Sequence, residues 1–366
     1  MPIVKLFVDK AVSDAPQVGA FSTKLNLTPV IVDNPQEVYL SVREAPDPVK
    51  KGKEVLYLTQ NQGAFVKDCP GTKTYTCCGY KILHIGTFCT MDCAYCILQS
   101  YFHPPVLQFF LNHHDLYAEL DRRLSEPTIQ RIGTGEFTDS LIWEAWSELT
   151  QRLVPLFARQ SHAVLELKTK TTAISGLKAL DHKRKTIVSW SLNTDAMIGS
   201  EERGTATLTA RLKAAARCES WGYPVAFHFD PMIIYPGCEA AYRQVVDQIF
   251  AHVSPANIAW ISLGTFRFMP SLKPIIASRF PFSKIIYGEF VQGLDGKMRY
   301  FKPLRIKLYQ QMAERIRAYS DEILIYFCME DDEVWQKTLG FLPSTKGGLS
   351  HMLDLSAASH CGLIIA

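Results

Sequence analysis

The sequence predicts an α/β protein built on a parallel β-sheet. From residue 81 onward, short apolar runs alternate with longer helical patterns. Six such alternations in a row imply parallel strands joined by right-handed crossovers. The composition agrees: 47% hydrophobic and 20% charged residues is ordinary globular usage, which excludes disordered, collagen-like and coiled-coil classes. No stretch of about 18 apolar residues occurs, so no membrane span is expected. Periodicity alone leaves an open doubly wound sheet and a partial barrel equally possible.

Taken in order, residues 1–75 read as a small α/β lead-in, with apolar runs at 4–7, 30–32 and 55–58. The Pro-, Lys- and Glu-rich stretch 45–53 reads as an exposed loop. The opening MPIVKLFVDKAV is too short an apolar stretch for a secretory signal, so the expected location is cytoplasmic. Residues 76–282 form the regular part. Its strands are expected at 82–85, 130–132, 163–167, 186–191, 224–229 and 258–263. Helices are expected at 140–159 and 205–221, the second stopped by Gly222 and Pro224. Residues 283–366 form a C-terminal subdomain. Strand-like runs at 284–292 and 297–302 flank Gly293–Gly296, whose Asp-Gly pair signals a hairpin. A helix over 304–319, a strand over 323–328 and a short helix follow.

The net charge is only +3, but it is unevenly spread. Between Thr265 and Leu308 stand nine Lys/Arg and two acids, with eight aromatics interleaved. Such a segment suits phosphate neutralisation and base contact. The plainer alternative is core aromatics beneath a solvated cationic face.

Six of the ten cysteines fall between 69 and 96. In a reducing compartment that reads as metal or redox chemistry rather than disulfides. Cys89, Cys93 and Cys96 follow the first strand of the regular part. Their spacing lets three thiolates hold three irons of a [4Fe–4S] cluster, leaving one iron open. Zinc is the rival, with His84 or Cys78 as a fourth ligand. After the second strand comes Gly133-Thr134-Gly135-Glu136, where glycines allow close backbone approach and a carboxylate suits an ammonium partner.

The triad resembles the Cys-x3-Cys-x2-Cys signature of the radical S-adenosylmethionine (AdoMet) superfamily. That resemblance implies a partial (β/α)6 barrel of TIM-like type, with AdoMet on the open iron and Gly135 and Glu136 at its methionine end. Flanking motifs narrow the match: Cys69-Pro-Gly-Thr, Cys77-Cys-Gly-Tyr-Lys-Ile-Leu-His-Ile-Gly, Ile97-Leu-Gln-Ser-Tyr-Phe-His-Pro-Pro and Gly135-Glu-Phe-Thr-Asp-Ser. From about Cys69 to Cys328 the chain resembles the spore photoproduct lyase family. The resemblance implies repair of a UV lesion in double-stranded DNA, two thymines joined through a methyl carbon, by a deoxyadenosyl radical. It implies a reductant such as flavodoxin or ferredoxin, and a monomer. It places Ser140, Lys170 and Ser191 on AdoMet, and Arg267 on phosphate. Arg299 and Tyr300 become a wedge into the duplex, and Tyr326 a wall of the lesion pocket. The lesion would be flipped out of the stack, as base chemistry requires.

The chain departs from the family at two positions. Where well-studied members carry a hydrogen-donating cysteine, this chain has Thr138. Where they carry a relay tyrosine after the last cluster cysteine, it has Ile97. A threonine O–H is too strong to quench a carbon radical. Cys77 and Cys78 are the candidate replacements, with Cys77 favoured and strand alternation expected to part their side chains. Tyr95 is the remaining tyrosine of the loop. The alternative is a radical AdoMet enzyme acting on another nucleic acid or a peptide.

Overall fold

The computed structural model describes residues 1–71, 74–102 and 105–365. Thr72, Lys73, His103, Pro104 and Ala366 lie outside the described residues, and with them parts of two motifs quoted above.

The lead-in contributes β1 (Lys5–Asp9), β2 (Val30–Val32) and β3 (Val55–Thr59), all parallel. β4 (Val66–Asp68), β5 (Lys81–Leu83), β6 (Gly86–Thr87), β7 (Asp92–Cys93) and β8 (Leu107–Phe110) follow. β6 and β8 extend the first sheet, in the order β2-β1-β3-β8-β6. The larger sheet adds β9 (Gln130–Gly133), β10 (Ala163–Thr169), β11 (Thr186–Ser191), β13 (Val225–Met232), β14 (Ile258–Thr265) and β18 (Leu324–Phe327). Its order is β18-β14-β13-β11-β10-β9-β5-β4. The strands from β5 to β18 are parallel, and β4 runs antiparallel at the edge. The sheet curls into a partial barrel. All six strands expected in the regular part are present and sequentially adjacent, and the strand expected over 323–328 joins them as the next in line.

These strands were legible because they are buried on both faces. All six residues of β11 and all eight of β14 are buried, so they read as continuous apolar runs. The helix over Leu208–Ser220 starts where the Thr207 hydroxyl accepts from the Ala210 amide at 3.2 Å, and it ends before Gly222 at φ +88°.

Three local expectations need correction. Helix over 140–159 is confined to Leu149–Ala158. The Asp139 carboxylate takes the Leu141 amide at 3.0 Å, and the Ser140 hydroxyl takes the Lys168 amide at 3.0 Å. These bonds hold a turn in place of helix. The first hairpin strand shrinks from 284–292 to β16 (Phe290–Gln292), which pairs with β17 (Met298–Tyr300); β15 (Arg267–Phe268) completes a three-stranded sheet. The stretch 45–53 is not an open loop. Asp47 caps a short helix, Pro48–Gly52, and Lys53 is only 2% exposed.

Among the described residues, no helix is long and apolar enough to cross a membrane.

Candidate active site

The three triad cysteines share one loop, anchored at both ends. Phe88 enters it at φ +71°, a left-handed conformation unusual for a bulky residue, with its amide on the Phe137 carbonyl at 2.8 Å. At the far side, β7 pairs with β12 (Glu202–Arg203), and the Ala94 amide reaches the Glu201 carbonyl at 2.8 Å. Burial pushes the Cys89 thiol up to about 12 and Cys93 higher still. Neutral sulfur is favoured there until a metal cation displaces the proton.

This donor set suits a cluster better than zinc. Among the described residues, no three His, Cys, Asp or Glu side chains converge on one metal-ion position. A cubane instead spreads three thiolates over three irons. The two possible fourth ligands are engaged elsewhere. His84 Nδ1 meets Lys67 Nζ at 3.0 Å, and its ring packs edge-on against Phe110 and Phe137. Cys78 lines a separate pocket beside Cys77.

The turn after β9 is shaped by close approach. A Cβ on Gly133 would lie 1.7 Å from the Tyr80 hydroxyl and 2.8 Å from the Glu166 carbonyl; one on Gly135 would lie 2.9 Å from Lys168 Cβ. Glu136 meets Lys168 Nζ at 3.1 Å. Ser140 is buried, its hydroxyl accepting from Thr134 at 2.8 Å as well as from Lys168. Sequence reasoning missed Asp139, which accepts the Lys170 amide at 2.8 Å and the Thr169 hydroxyl at 2.8 Å. Asp139 thereby holds the end of β10 so that Lys170 Nζ stands 5.9 Å from the Tyr95 ring centroid. Ser191 ends β11, buried, with its carbonyl on Arg211 at 2.8 Å. Deeper in the barrel, His228 and Glu166 meet at 2.7 Å. Burial opposes the Glu166 charge, but the His228 contact outweighs it and holds the carboxyl down to about 2.

Tyr95 is not free. Its buried hydroxyl donates to Glu202, which forms a fully buried ion pair with Arg211 at 2.5 Å. The structure makes Tyr95 a brace between the cluster loop and β12, with its hydrogen already committed. Removing one member of such a pair strands a buried charge. Arg211→Met is therefore expected to lower unfolding free energy by about 3–5 kcal/mol, read from the shift of a urea unfolding midpoint against wild type. Ile97, at the relay position, is 40% exposed. The Thr138 hydroxyl is buried without a hydrogen-bond partner among the described residues.

A second group of thiols stands apart from the triad. Cys69, Cys77, Cys78 and Cys328 line one small pocket with Thr76, Phe327 and Met329. Residues 76–80 form no strand, so alternation does not part Cys77 from Cys78. Their side chains are neighbours in that pocket, and each shifts the other's thiol. Cys78 and the Gly79 amide at 3.4 Å hold Cys77 below the usual thiol range. Cys78 is pushed up, by its neighbour Cys77 and by burial. Cys78 is partly buried, whereas Cys77 is exposed. Tyr326 is buried, and burial pushes its hydroxyl up.

The remaining nucleic-acid residues do not face solvent as expected. Arg299 is 2% exposed and Tyr300 1%. Arg299 pairs with Asp295 at 2.7 Å, donates to the Met329 carbonyl at 3.1 Å and covers the Tyr75 ring at 4.2 Å. Tyr300 stacks on Phe290 at 4.4 Å and accepts the Ile234 amide at 3.3 Å. Arg299 ties the hairpin to the thiol-bearing loop through Tyr75, and Tyr300 ties it to Ile234 beyond β13, so neither side chain projects as a free wedge. Arg267 is likewise locked, to Asp230 through two bonds of 3.2 Å and to the Cys328 sulfur at 3.3 Å. Of the nine cations of the basic segment, only Lys273 and Lys284 form no ion pair among the described residues. Both lie 5.9 Å from the centroid of the exposed Tyr287 ring.

A curled parallel sheet, a three-cysteine loop after its first parallel strand and a glycine–acid turn after the next define a partial barrel of the radical AdoMet type. The sequence model of the spore photoproduct lyase family matches residues 73–324. The chain belongs to that family. It is 26% identical over 210 residues to spore photoproduct lyase of Bacillus subtilis (strain 168), covering 56% of this chain and spanning 61% of that relative's length. The Clostridium acetobutylicum lyase is 22% identical over 255 residues, covering 69% of this chain and 72% of that one. Solved structures agree in fold. A spore photoproduct lyase double mutant with bound AdoMet and dinucleoside spore photoproduct superposes with a TM-score of 0.78 at 19% identity, over 89% of this chain and all of that one.

Proposed function

We propose that this chain is a DNA repair lyase that reverts the spore photoproduct, 5-thyminyl-5,6-dihydrothymine, to two thymines. The observation that carries the proposal is the cysteine loop and the glycine–acid turn set beyond the adjacent parallel strands β5 and β9, in a chain whose residues 73–324 match the lyase family. A bound [4Fe–4S] cluster and AdoMet supply a 5′-deoxyadenosyl radical. Cys89, Cys93 and Cys96 would hold the cluster. Gly135, Glu136, Lys170 and the ends of β9 to β11 would hold AdoMet, with Ser140 and Asp139 fixing the turn. The protein's remaining tasks are to admit the lesion, exclude water and end the reaction with a hydrogen atom.

The last task falls to the thiol pair, since Thr138 has no weak bond to offer. Its neighbour Cys77 and burial push the Cys78 thiol up, so Cys78 keeps its S–H at neutral pH, and it is the less exposed of the two. We therefore assign the donor hydrogen to Cys78, in place of the Cys77 favoured from the sequence. The ten cysteines are all free, which suits the cytoplasm of a reducing cell and an electron supply from flavodoxin or ferredoxin.

The DNA contact shifts from Arg299 and Tyr300 to the hairpin turn they support. Leu294, at its tip, is 79% exposed, and its amide bonds to Tyr75 at 3.2 Å, two residues before Cys77. An apolar side chain there suits insertion beside a flipped base, with Lys273, Lys284 and Tyr287 available to the backbone. Leu294→Ala is expected to slow repair of a lesion in duplex DNA about tenfold, the loss of about 1.4 kcal/mol, and to leave repair of the isolated dinucleoside lesion unchanged. Parallel turnover assays on the two substrates check this. The function itself is tested with a duplex carrying one lesion. Anaerobic incubation with reduced, reconstituted protein and AdoMet is expected to restore the unmodified sequence. An intact lesion after AdoMet has been consumed would favour another substrate.

A further inference from the structure

Lys53 lies outside the region that the family model matches, in the N-terminal sheet unit, yet among the described residues its side-chain polar contacts all reach the cysteine loop. Its ammonium donates to the Cys89 carbonyl at 3.0 Å and the Met91 carbonyl at 2.5 Å. It stands 3.9 Å from the Asp92 carboxylate and 4.1 Å from the centroid of the Phe88 ring. With 2% exposure, the charge is shielded from water and salt. Arg279 tightens the same junction, joining Asp92 at 3.1 Å to Asp47 at 3.0 Å.

A buried ammonium is costly unless its three protons are satisfied. Here two carbonyls, a carboxylate and a π face satisfy them, all supplied by residues 88–92. Reducing a cluster by one electron makes it more negative, and a fixed cation nearby favours that state, more strongly where the dielectric is low.

We propose that Lys53 is a positioning residue for the iron–sulfur cluster, fixing the carbonyls on either side of the Cys89–Met91 turn and raising the cluster's reduction potential through its buried charge. This rests on the cluster reading given above. The test uses the full chain reconstituted with iron and sulfide, comparing Lys53→Met and Lys53→Arg with wild type. Iron content and the midpoint potential are measured by redox titration with electron paramagnetic resonance. Lys53→Met is expected to load iron and titrate at a more negative potential. Lys53→Arg, which keeps the charge, is expected to stay closer to wild type. An iron-loaded Lys53→Met with an unchanged midpoint would overturn the proposal. So would a Lys53→Arg midpoint displaced as far as that of Lys53→Met. If Lys53→Met fails to fold, the proposal stands or falls on whether iron-loaded Lys53→Arg keeps a near-wild-type midpoint. Wild-type protein that binds no iron would instead overturn the cluster assignment itself.

Discussion

Replacing Cys78 with alanine is expected to leave AdoMet cleavage intact and to cut thymine recovery about tenfold or more, at least about 1.4 kcal/mol in barrier. The radical would form and attack the lesion as before. The thymine radical left after bond scission would then lack its hydrogen source, and side products would accumulate. Product analysis by mass spectrometry separates this from simple loss of binding. Cys77→Ala is expected to be milder, because it removes a neighbour of the Cys78 thiol and not the hydrogen itself. The protonation states have their own readout. Cys77 is exposed and held low, so its alkylation is expected to persist at pH values well below the usual thiol range, falling only as the thiolate is protonated. Equal loss in both variants, or greater loss in Cys77→Ala, would return the donor role to Cys77.

Replacing Cys93 with alanine is expected to abolish AdoMet cleavage altogether. Cys93 is the most buried ligand candidate of the triad, and its backbone is held in the ladder with Glu202. That pairing fixes the position from which the thiolate reaches iron, and no neighbouring thiol is placed to substitute. Iron and sulfide analysis, with the visible charge-transfer absorption, checks the loss. Near-native circular dichroism in the same variant would show that the fold survives it.

The barrel was legible because doubly buried strands announce themselves. Thr186–Ser191 was placed correctly to the residue, since burial on both faces leaves no polar interruption. That the three triad cysteines share one loop was legible because they are local in sequence. Long-range partners were not. Nothing in the sequence says that Lys53 turns inward, because its acceptors lie 36 and 38 residues away. Arg299 and Tyr300 sit on the expected hairpin. Which side they face is decided by pairing with β15 and by contacts to Met329 and Ile234, all distant in sequence. The thiol pair was misjudged for a similar reason: alternation governs strands, and residues 76–80 are not one.

The most direct measurement is anaerobic turnover of the synthetic dinucleoside spore photoproduct by the reconstituted, reduced protein with AdoMet. The predicted result is release of two intact thymidines from each lesion. Formation of 5′-deoxyadenosine with no thymidine released would contradict the assignment and leave a working radical enzyme whose substrate is something else.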